Sequence, residues 1–586
     1  MTPIWKSKSS PEEKSLWDAD SQTMTMPKGI IRLLQSRGFQ EFKAAQNFLY
    51  PQLKSLQDPY LITGMKIAVD RLVQAFINSE KICIYADFDL DGTSGLALLK
   101  QGLEGLGFRN LIWYQPKRLS EGYGFHASAV EDLAKMGVQI IITVDVGITA
   151  PAACRKAKEL GLDVILTDHH LPSGELPEAF IILNPNQKGC NSKLTYLCGA
   201  GVAFYLLRAL KRAFFENENL PKSDFDLRSV LDLFTIATLT DMVPLVDDNR
   251  VLVKQGLIEL QKTNRPGLRA LIDELGLSSQ VLTSQDVGMK LAPKINALSR
   301  METEVLPRDL YLAVDLTQAR SLVSQVMKNN TTRVQKQSEA ESEALSLLKN
   351  WDNPHFIFVV SPHFHRGVLG LVATKLVQIY NRPCFVGSLT ESEGVIVGSA
   401  RVPSGSEISL VEALSFASES LNRHGGHSAA AGFELFYKNV DQVQKQLSEF
   451  FVGLSLKPSQ RIIEYDAEIS LEELNQNFMD WHDFLGPFGV GFPVPLFRLS
   501  SFKVVQLKEL KGGHLKVEVE SLGGHRLKDV LYFSPPAAMA KLFQDSSLQF
   551  DALVEFQWNY FLGRKNMQIL LKVVTQKSEI VVEPTV

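Results

Sequence analysis

KICIYADFDLDGTSG, residues 81–95, joins an apolar run to a cluster of acid. Its first half reads as a short β-strand, because Ile82, Ile84 and Tyr85 suit a pleated, buried surface. Three aspartates follow at a spacing of two, Asp87, Asp89 and Asp91, and then Gly92 and the helix-starting pair Thr93 and Ser94. Carboxylates this close repel and raise one another's pKa values, so the cluster is tolerable chiefly around a hard divalent cation. The same spacing opens a calcium-binding EF-hand loop, but that loop needs a Glu at its twelfth position, where this chain has Leu98, and a helix before it. A turn of solvated aspartates is the plainer alternative for the segment taken alone.

Outward from this stretch the rhythm is β-α-β. Strands are expected over 82–87, 111–115, 139–145, 163–168 and 180–184, with helices over 94–106, 126–136 and 150–160. Near-continuous Ile/Val/Leu strands alternating with helices imply a parallel sheet covered on both faces. Such sheets bind ligands beyond the carboxyl ends of their strands. Asp87 ends the first strand, Asp145 ends TVDVG, and Asp168, His169 and His170 end ILTDHH, so three strands deliver carboxylate or imidazole to one edge. Each alone has a bland reading, an Asp as helix cap or a His as a packed residue. Together they point to a site. Asp241 follows on LFTIATLTDMVP, residues 233–244, at the polar end of an expected helix.

With 586 residues the chain exceeds one core, and three or four domains are expected. Apolar content of 45% and charged content of 22% describe ordinary globular protein. No apolar run has the form of a signal peptide or a membrane span, which places the protein in the cytoplasm without a membrane role. Cys83, Cys154, Cys190, Cys198 and Cys384 are scattered and odd in number, which excludes a disulfide framework or a zinc site. A net charge of −4 means that any polyanion is held by a local basic surface.

DFDLDG, VDVG, TDHH and TLTDMVP resemble, in order and spacing, the four motifs of the DHH phosphoesterase superfamily, and from about residue 67 onward the chain resembles the RecJ family of bacterial single-stranded-DNA exonucleases. The resemblance implies an α/β fold: a parallel-sheet DHH catalytic domain over 67–316 after an N-terminal segment, 1–66; a connecting helix, 317–350; a second α/β, DHH-associated domain, 351–458; and a C-terminal antiparallel OB-fold β-barrel, 459–586. It also implies two Mn²⁺ or Mg²⁺ ions on Asp87, Asp89, Asp91, Asp145, His169 and Asp241, with Asp145 as the bridge. Asp168 and His170 would complete the catalytic set by orienting ligands and contacting the scissile phosphate. An oxygen-rich set with imidazole and no thiolate suits these metals better than zinc. No phosphate-cradling nucleotide loop is present, and Gly199-Ala200-Gly201 reads as a closely packed helix start.

Beyond the motifs, PKINALSRM at 293–301 offers Lys294, Asn296 and Arg300 to DNA, although Leu298 and Ser299 are larger than the pair usual in the family. In the second lobe, a GSAR turn at 398–401 and HGGHSAAAG at 424–432 would face the metals across a cleft. There Gly425 and Gly426 let backbone amides approach a phosphate, His427 stands beside them, and Ala429 to Ala431 would allow tight helix packing behind. Arg118, in QPKRLSEGYG, together with Ser399 and Arg401 would stop a terminal 5′-phosphate. HLKVEVE, DVLYF, ALVEFQWNYF and MQILLKVV, with turns at 523–524 and 563–564, carry the barrel, and His514, Lys516, Trp558 and Arg564 are its candidate strand contacts. The expected function is a metal-dependent exonuclease degrading single-stranded DNA 5′ to 3′ to mononucleotides in repair and recombination. It would act as a monomer, with a single-strand-binding protein and a helicase as further partners. The alternatives are a phosphodiesterase for short RNA or small esters, and a non-catalytic DNA-binding scaffold.

Overall fold

A computed structural model describes residues 4–8, 25–116, 121–172, 174–301, 303–454, 462–561 and 564–577. The first sheet is built from β1 (Ile82–Ala86), β2 (Leu111–Tyr114), β3 (Ile140–Val144), β4 (Asp163–Thr167) and β5 (Ile181–Leu183), in the order β2-β1-β3-β4-β5 and parallel throughout. Successive side chains of a strand point to opposite faces, and both faces here are covered. Ile82, Ile84, Ile140 and Ile142 join one core with α1 (Leu90–Gly105), while Cys83, Tyr85 and Ile141 join another with α2 (Ala127–Lys135) and α3 (Pro151–Glu159). Ala86 lies opposite Val144, and Val144 opposite Thr167. The next residue of each strand, Asp87, Asp145 and Asp168, therefore leaves the sheet at one edge. That edge includes the gap between β1 and β3, where the chain reverses its direction of travel across the sheet.

Four further helices complete this lobe's functional edge: α4 (Gly199–Glu216), α5 (Leu231–Thr240), α6 (Asp247–Gln261) and α7 (Ala292–Arg300). Residues 293–300, carrying Lys294, Asn296 and Arg300, lie in the helix α7. The 32-residue α8 (Leu316–Leu347) then spans about 48 Å to the second lobe.

There the sheet contains β6 (Ile357–Ser361), β7 (Cys384–Thr390), β8 (Val395–Arg401), β9 (Arg423–Gly426) and β10 (Ala430–Phe436), ordered β9-β10-β8-β7-β6. Two expectations are corrected. GSAR is the end of strand β8 and not a turn, and Ala430 and Ala431 pair with Arg401 and Ala400 in the sheet instead of backing a helix. A Cβ on Gly398 would meet the ring of its β10 partner Phe433 at 2.0 Å, so glycine there makes room for that ring.

The C-terminal barrel closes through β12 (Phe497–Leu510), β13 (His514–Ser521), β14 (Arg526–Tyr532), β15 (Phe550–Phe561) and β16 (Arg564–Gln576), preceded by β11 (Ala467–Ile469). Its closing seams are β12 with β15, antiparallel, and a short parallel pairing of β14 with β16. The turn expected at 563–564 reaches outside the described residues. The first two helices of the N-terminal segment belong with this barrel, while Ile62 and Met65 join the core of the catalytic lobe: Ile30, Leu33 and Leu34 of the helix Lys28–Ser36, and Ala45 and Leu49 of Phe42–Leu49, share the barrel core with Ile469, Phe478 and Phe497. A strand at Ile4–Ser7 also pairs in parallel with Ile462–Tyr465.

Candidate metal centre

Backbone geometry gathers the acid. Asp89 caps α1, its carboxylate accepting from the amides of Asp91 (2.9 Å) and Gly92 (3.1 Å). Asp91 lies in the first turn of that helix, 1% exposed, and its two oxygens accept from the amides of Gly199 (2.6 Å) and Ala200 (2.9 Å) at the start of α4. A carboxylate oxygen has a second lone pair, so these bonds orient Asp91 without exhausting it. Asp145 sits in the left-handed region at φ 61°, which Asp tolerates better than most residues. A Cβ at position 199 would stand 2.4 Å from the Asp145 Cβ, and one at position 92 would stand 2.5 Å from the Asp87 carbonyl oxygen. Glycine at both positions follows from close approach, which deepens the helix-start reading of Gly199.

His169 Nε2 lies 3.3 Å from Asp145 Oδ1, 3.6 Å from Asp241 Oδ2 and 4.0 Å from Asp91 Oδ2. Three sets of donor atoms converge closely enough for a metal ion: Asp87, Asp89 and Asp145; Asp91, His169 and Asp241; Asp145, His169 and His170. Among the described residues Asp145 Oδ1, His169 Nε2 and Asp241 Oδ2 are buried without a hydrogen-bond partner. Burial, and then the charges of Asp91, Asp89, Asp241 and Asp87, push the Asp145 carboxyl well above the usual carboxylate range. Burial and Asp91 likewise push Asp241 up to about 6. A divalent cation among these atoms reverses that repulsion, and the all-oxygen-and-imidazole donor set fits Mn²⁺ or Mg²⁺. Asp168 has another task. It is fully buried and accepts from the amides of Ile148 (3.0 Å), His169 (2.8 Å) and His170 (3.1 Å) and contacts His170 Nδ1 at 2.8 Å, so it acts through its neighbours. Burial alone would lower His170, but Asp168 outweighs it and holds the imidazole at about 9.

Comparisons with known proteins agree with this geometry. Family profiles match residues 81–238 (DHH family, N-terminal domain), 353–453 (DHHA1 domain) and 465–573 (RecJ OB domain). The single-stranded-DNA-specific exonuclease RecJ of Dickeya dadantii is 31% identical over 94% of this chain and 96% of its own length. The chain belongs to the RecJ family. The RecJ of Escherichia coli is also 31% identical, over 93% of this chain and 95% of its own. Among solved structures, RecJ of Thermus thermophilus in complex with Mn²⁺ superposes with a TM-score of 0.81 at 26% identity, covering 98% of this chain and 80% of that one. A manganese-bound exonuclease RecJ is 31% identical with a TM-score of 0.57, over 67% of this chain and 95% of that one.

The remaining residues expected from the RecJ likeness divide by place. From the second lobe, the His427 ring stacks nearly parallel to that of His170, at 6.1 Å and 7°, so the DHH-associated sheet reaches the metal edge. Gly425 and Gly426 lie exposed in β9 beside it, Gly426 at φ 137°. Arg401 Nη1 donates to Ser399 Oγ (3.0 Å) and to the Ala400 carbonyl (2.8 Å). Arg300 Nη1 donates to the Gly367 carbonyl of the second lobe at 3.4 Å. Arg118 lies outside the described residues. On the barrel, Trp558 donates to Asp483 beneath Lys565 (3.9 Å from ring centre), and Lys516 pairs with Asp529. Four participants were not expected as such from the sequence: the amides of Gly199 and Ala200, and the side chains of Gln115 and Ser299, which reach the Asp87–Asp91 segment.

Proposed function

We propose that this chain is a metal-dependent exonuclease that degrades single-stranded DNA from its 5′ end to mononucleotides, using two Mn²⁺ or Mg²⁺ ions, in DNA repair and recombination. The sharing of donors among the three converging sets carries this reading, since Asp145 and His169 each belong to two of them. Two adjacent sites with common ligands are the arrangement for in-line displacement at phosphorus. Asp87, Asp89, Asp91, Asp145, His169 and Asp241 would hold the pair. Once bound, the ions supply an activated water and neutralise charge on the phosphate and leaving oxygen.

The chain's own groups do the rest. His170, held by Asp168 through Nδ1, would contact the scissile phosphate through its other nitrogen. Gly425 and Gly426 amides and the His427 ring close on the same phosphate from the second lobe. Arg401 with Ser399, joined by Arg118, grips a terminal phosphate by paired donors. The His170 and His427 rings stand 6.1 Å apart across the cleft, too close for a duplex to pass between them. An enzyme so restricted depends on a helicase to open duplexes and meets strands coated by single-strand-binding protein, as a cytoplasmic monomer. Among the described residues no helix is long and apolar enough to cross a membrane. Asp145→Asn tests the reading: cleavage of 5′-labelled single strands in Mn²⁺ falls by at least about 100-fold while the fold persists. Near-normal turnover overturns it.

A further inference from the structure

The passage from β1 into the first turn of α1 bears three carboxylates that repel one another until a cation arrives, so something else must hold its shape beforehand. The Asp89 cap and the α4 amides hold its far end. Its near end, the backbone of Asp87 and Phe88, is reached by two side chains from distant parts of the chain. Gln115, at the carboxyl end of β2 and 6% exposed, donates through Nε2 to the Asp87 carbonyl at 2.6 Å and to Thr93 Oγ1 at 2.7 Å. One amide group thus ties the residue that leaves β1 to the first turn of α1, using both of its protons. Ser299, in the last turn of α7 and 7% exposed, donates through Oγ to the Phe88 carbonyl at 3.3 Å.

We infer that Gln115 and Ser299 are positioning residues for the metal centre, holding the Asp87 and Phe88 carbonyls so that the Asp87 and Asp89 carboxylates converge before a cation binds. Both donors are buried and both acceptors are main chain, so the effect does not depend on which residue occupies position 88. Both side chains bond only main chain and a hydroxyl here, so their influence on the reaction passes through the loop. Ser299 adds a link of a second kind. The residue after it, Arg300, donates to Gly367 of the second lobe, so α7 touches the metal loop and the inter-lobe seam within two positions. Preorganised outer contacts of this type raise metal affinity more than they raise fold stability.

The inference rests on the metal-centre reading, and the test separates the two. Mn²⁺ affinity is measured by electron paramagnetic resonance titration on wild type, Gln115→Met, Ser299→Ala and the hydroxyl-retaining Ser299→Thr, with melting temperature in chelator as the control for folding. Gln115→Met is expected to weaken Mn²⁺ binding about 10-fold to 100-fold and Ser299→Ala less, with Ser299→Thr near wild type and chelator melting points lowered by no more than a few degrees. Strand cleavage should be regained as Mn²⁺ is raised, with KM for DNA unaltered. Mn²⁺ affinity within twofold of wild type in Gln115→Met, or lost cleavage that Mn²⁺ does not restore, overturns the inference and leaves the metal centre standing. A wild type that binds no Mn²⁺ overturns both.

Discussion

Arg401 owes its posture to two small neighbours. Its guanidinium bonds Ser399 and the Ala400 carbonyl, and a Cβ on Gly370 would stand 2.8 Å from its Nη2, so it lies over the first turn of α9 (Leu369–Tyr380). A planar fork fixed beside a helix N-terminus is well suited to a phosphate monoester. Arg401→Ala is expected to remove most of any preference for 5′-phosphorylated over 5′-hydroxyl strands while Mn²⁺ affinity holds. Cleavage of the two ends at one salt concentration checks this, and an unaltered preference relocates the terminal-phosphate pocket. Residues with chemistry of their own were legible in the sequence because each stands where a strand stops, as Asp87, Asp145 and Asp168 do. Gln115 and Ser299 were not, because their partners are main-chain carbonyls, which every residue carries.

Elements were legible where burial is two-sided. The runs IIITV and DVILT had to be strands of a covered parallel sheet, and they are β3 and β4. GSAR misled because small residues fit both a tight turn and a strand pressed against its neighbours, and only the pairing of β8 with β10 distinguishes them. One helix carries an acid-sensitive weakness. His482, in Gln476–Phe484, is buried between Phe488 and Phe556, and among the described residues neither ring nitrogen has a hydrogen-bond partner. Burial, with Arg37 nearby, lowers it to about 4. Unfolded, an imidazole titrates near 6.5, so the unfolded chain binds the extra proton first. Stability should therefore be complete above about pH 6.5 and decline as pH falls toward 4, by on the order of 3 kcal/mol from this group. Melting curves of wild type and His482→Phe across that window check it; parallel curves would refute the assignment.

At the scale of the molecule, the barrel is docked on the catalytic lobe by a buried cation. Arg250 of α6, 2% exposed, donates to the carbonyls of Phe48 (3.2 Å), Leu485 (2.6 Å), Gly486 (3.2 Å) and Pro487 (3.1 Å), with its Cζ 3.5 Å from the Phe48 ring centre. The adjoining contact, Leu245 N to Val490 O at 2.8 Å, lies four residues beyond Asp241, so docking and the metal edge share one stretch of chain. Arg250→Met, which strands four carbonyls, should cost about 3 kcal/mol or more and separate the barrel's unfolding from that of the catalytic lobe. Chemical denaturation followed by domain-specific fluorescence reads this, and a single unshifted transition would count against it. The docking was invisible in the sequence because its acceptors are again backbone, and because segments far apart in the chain supply them.

The N-terminal helices bring a different consequence, one of timing during synthesis. Gly29 donates to Glu473, 444 residues further along, and the apolar face formed by Ile30, Leu33 and Leu34 has its partners in the barrel. At roughly 5–20 residues per second, that face leaves the ribosome about 20–90 s before its partner is made. The catalytic lobe, whose sheet lies within one continuous run of chain, can fold during the wait. The helices cannot, and until the barrel is made they are a sticky surface on a nascent chain, in need of a chaperone and exposed to proteases.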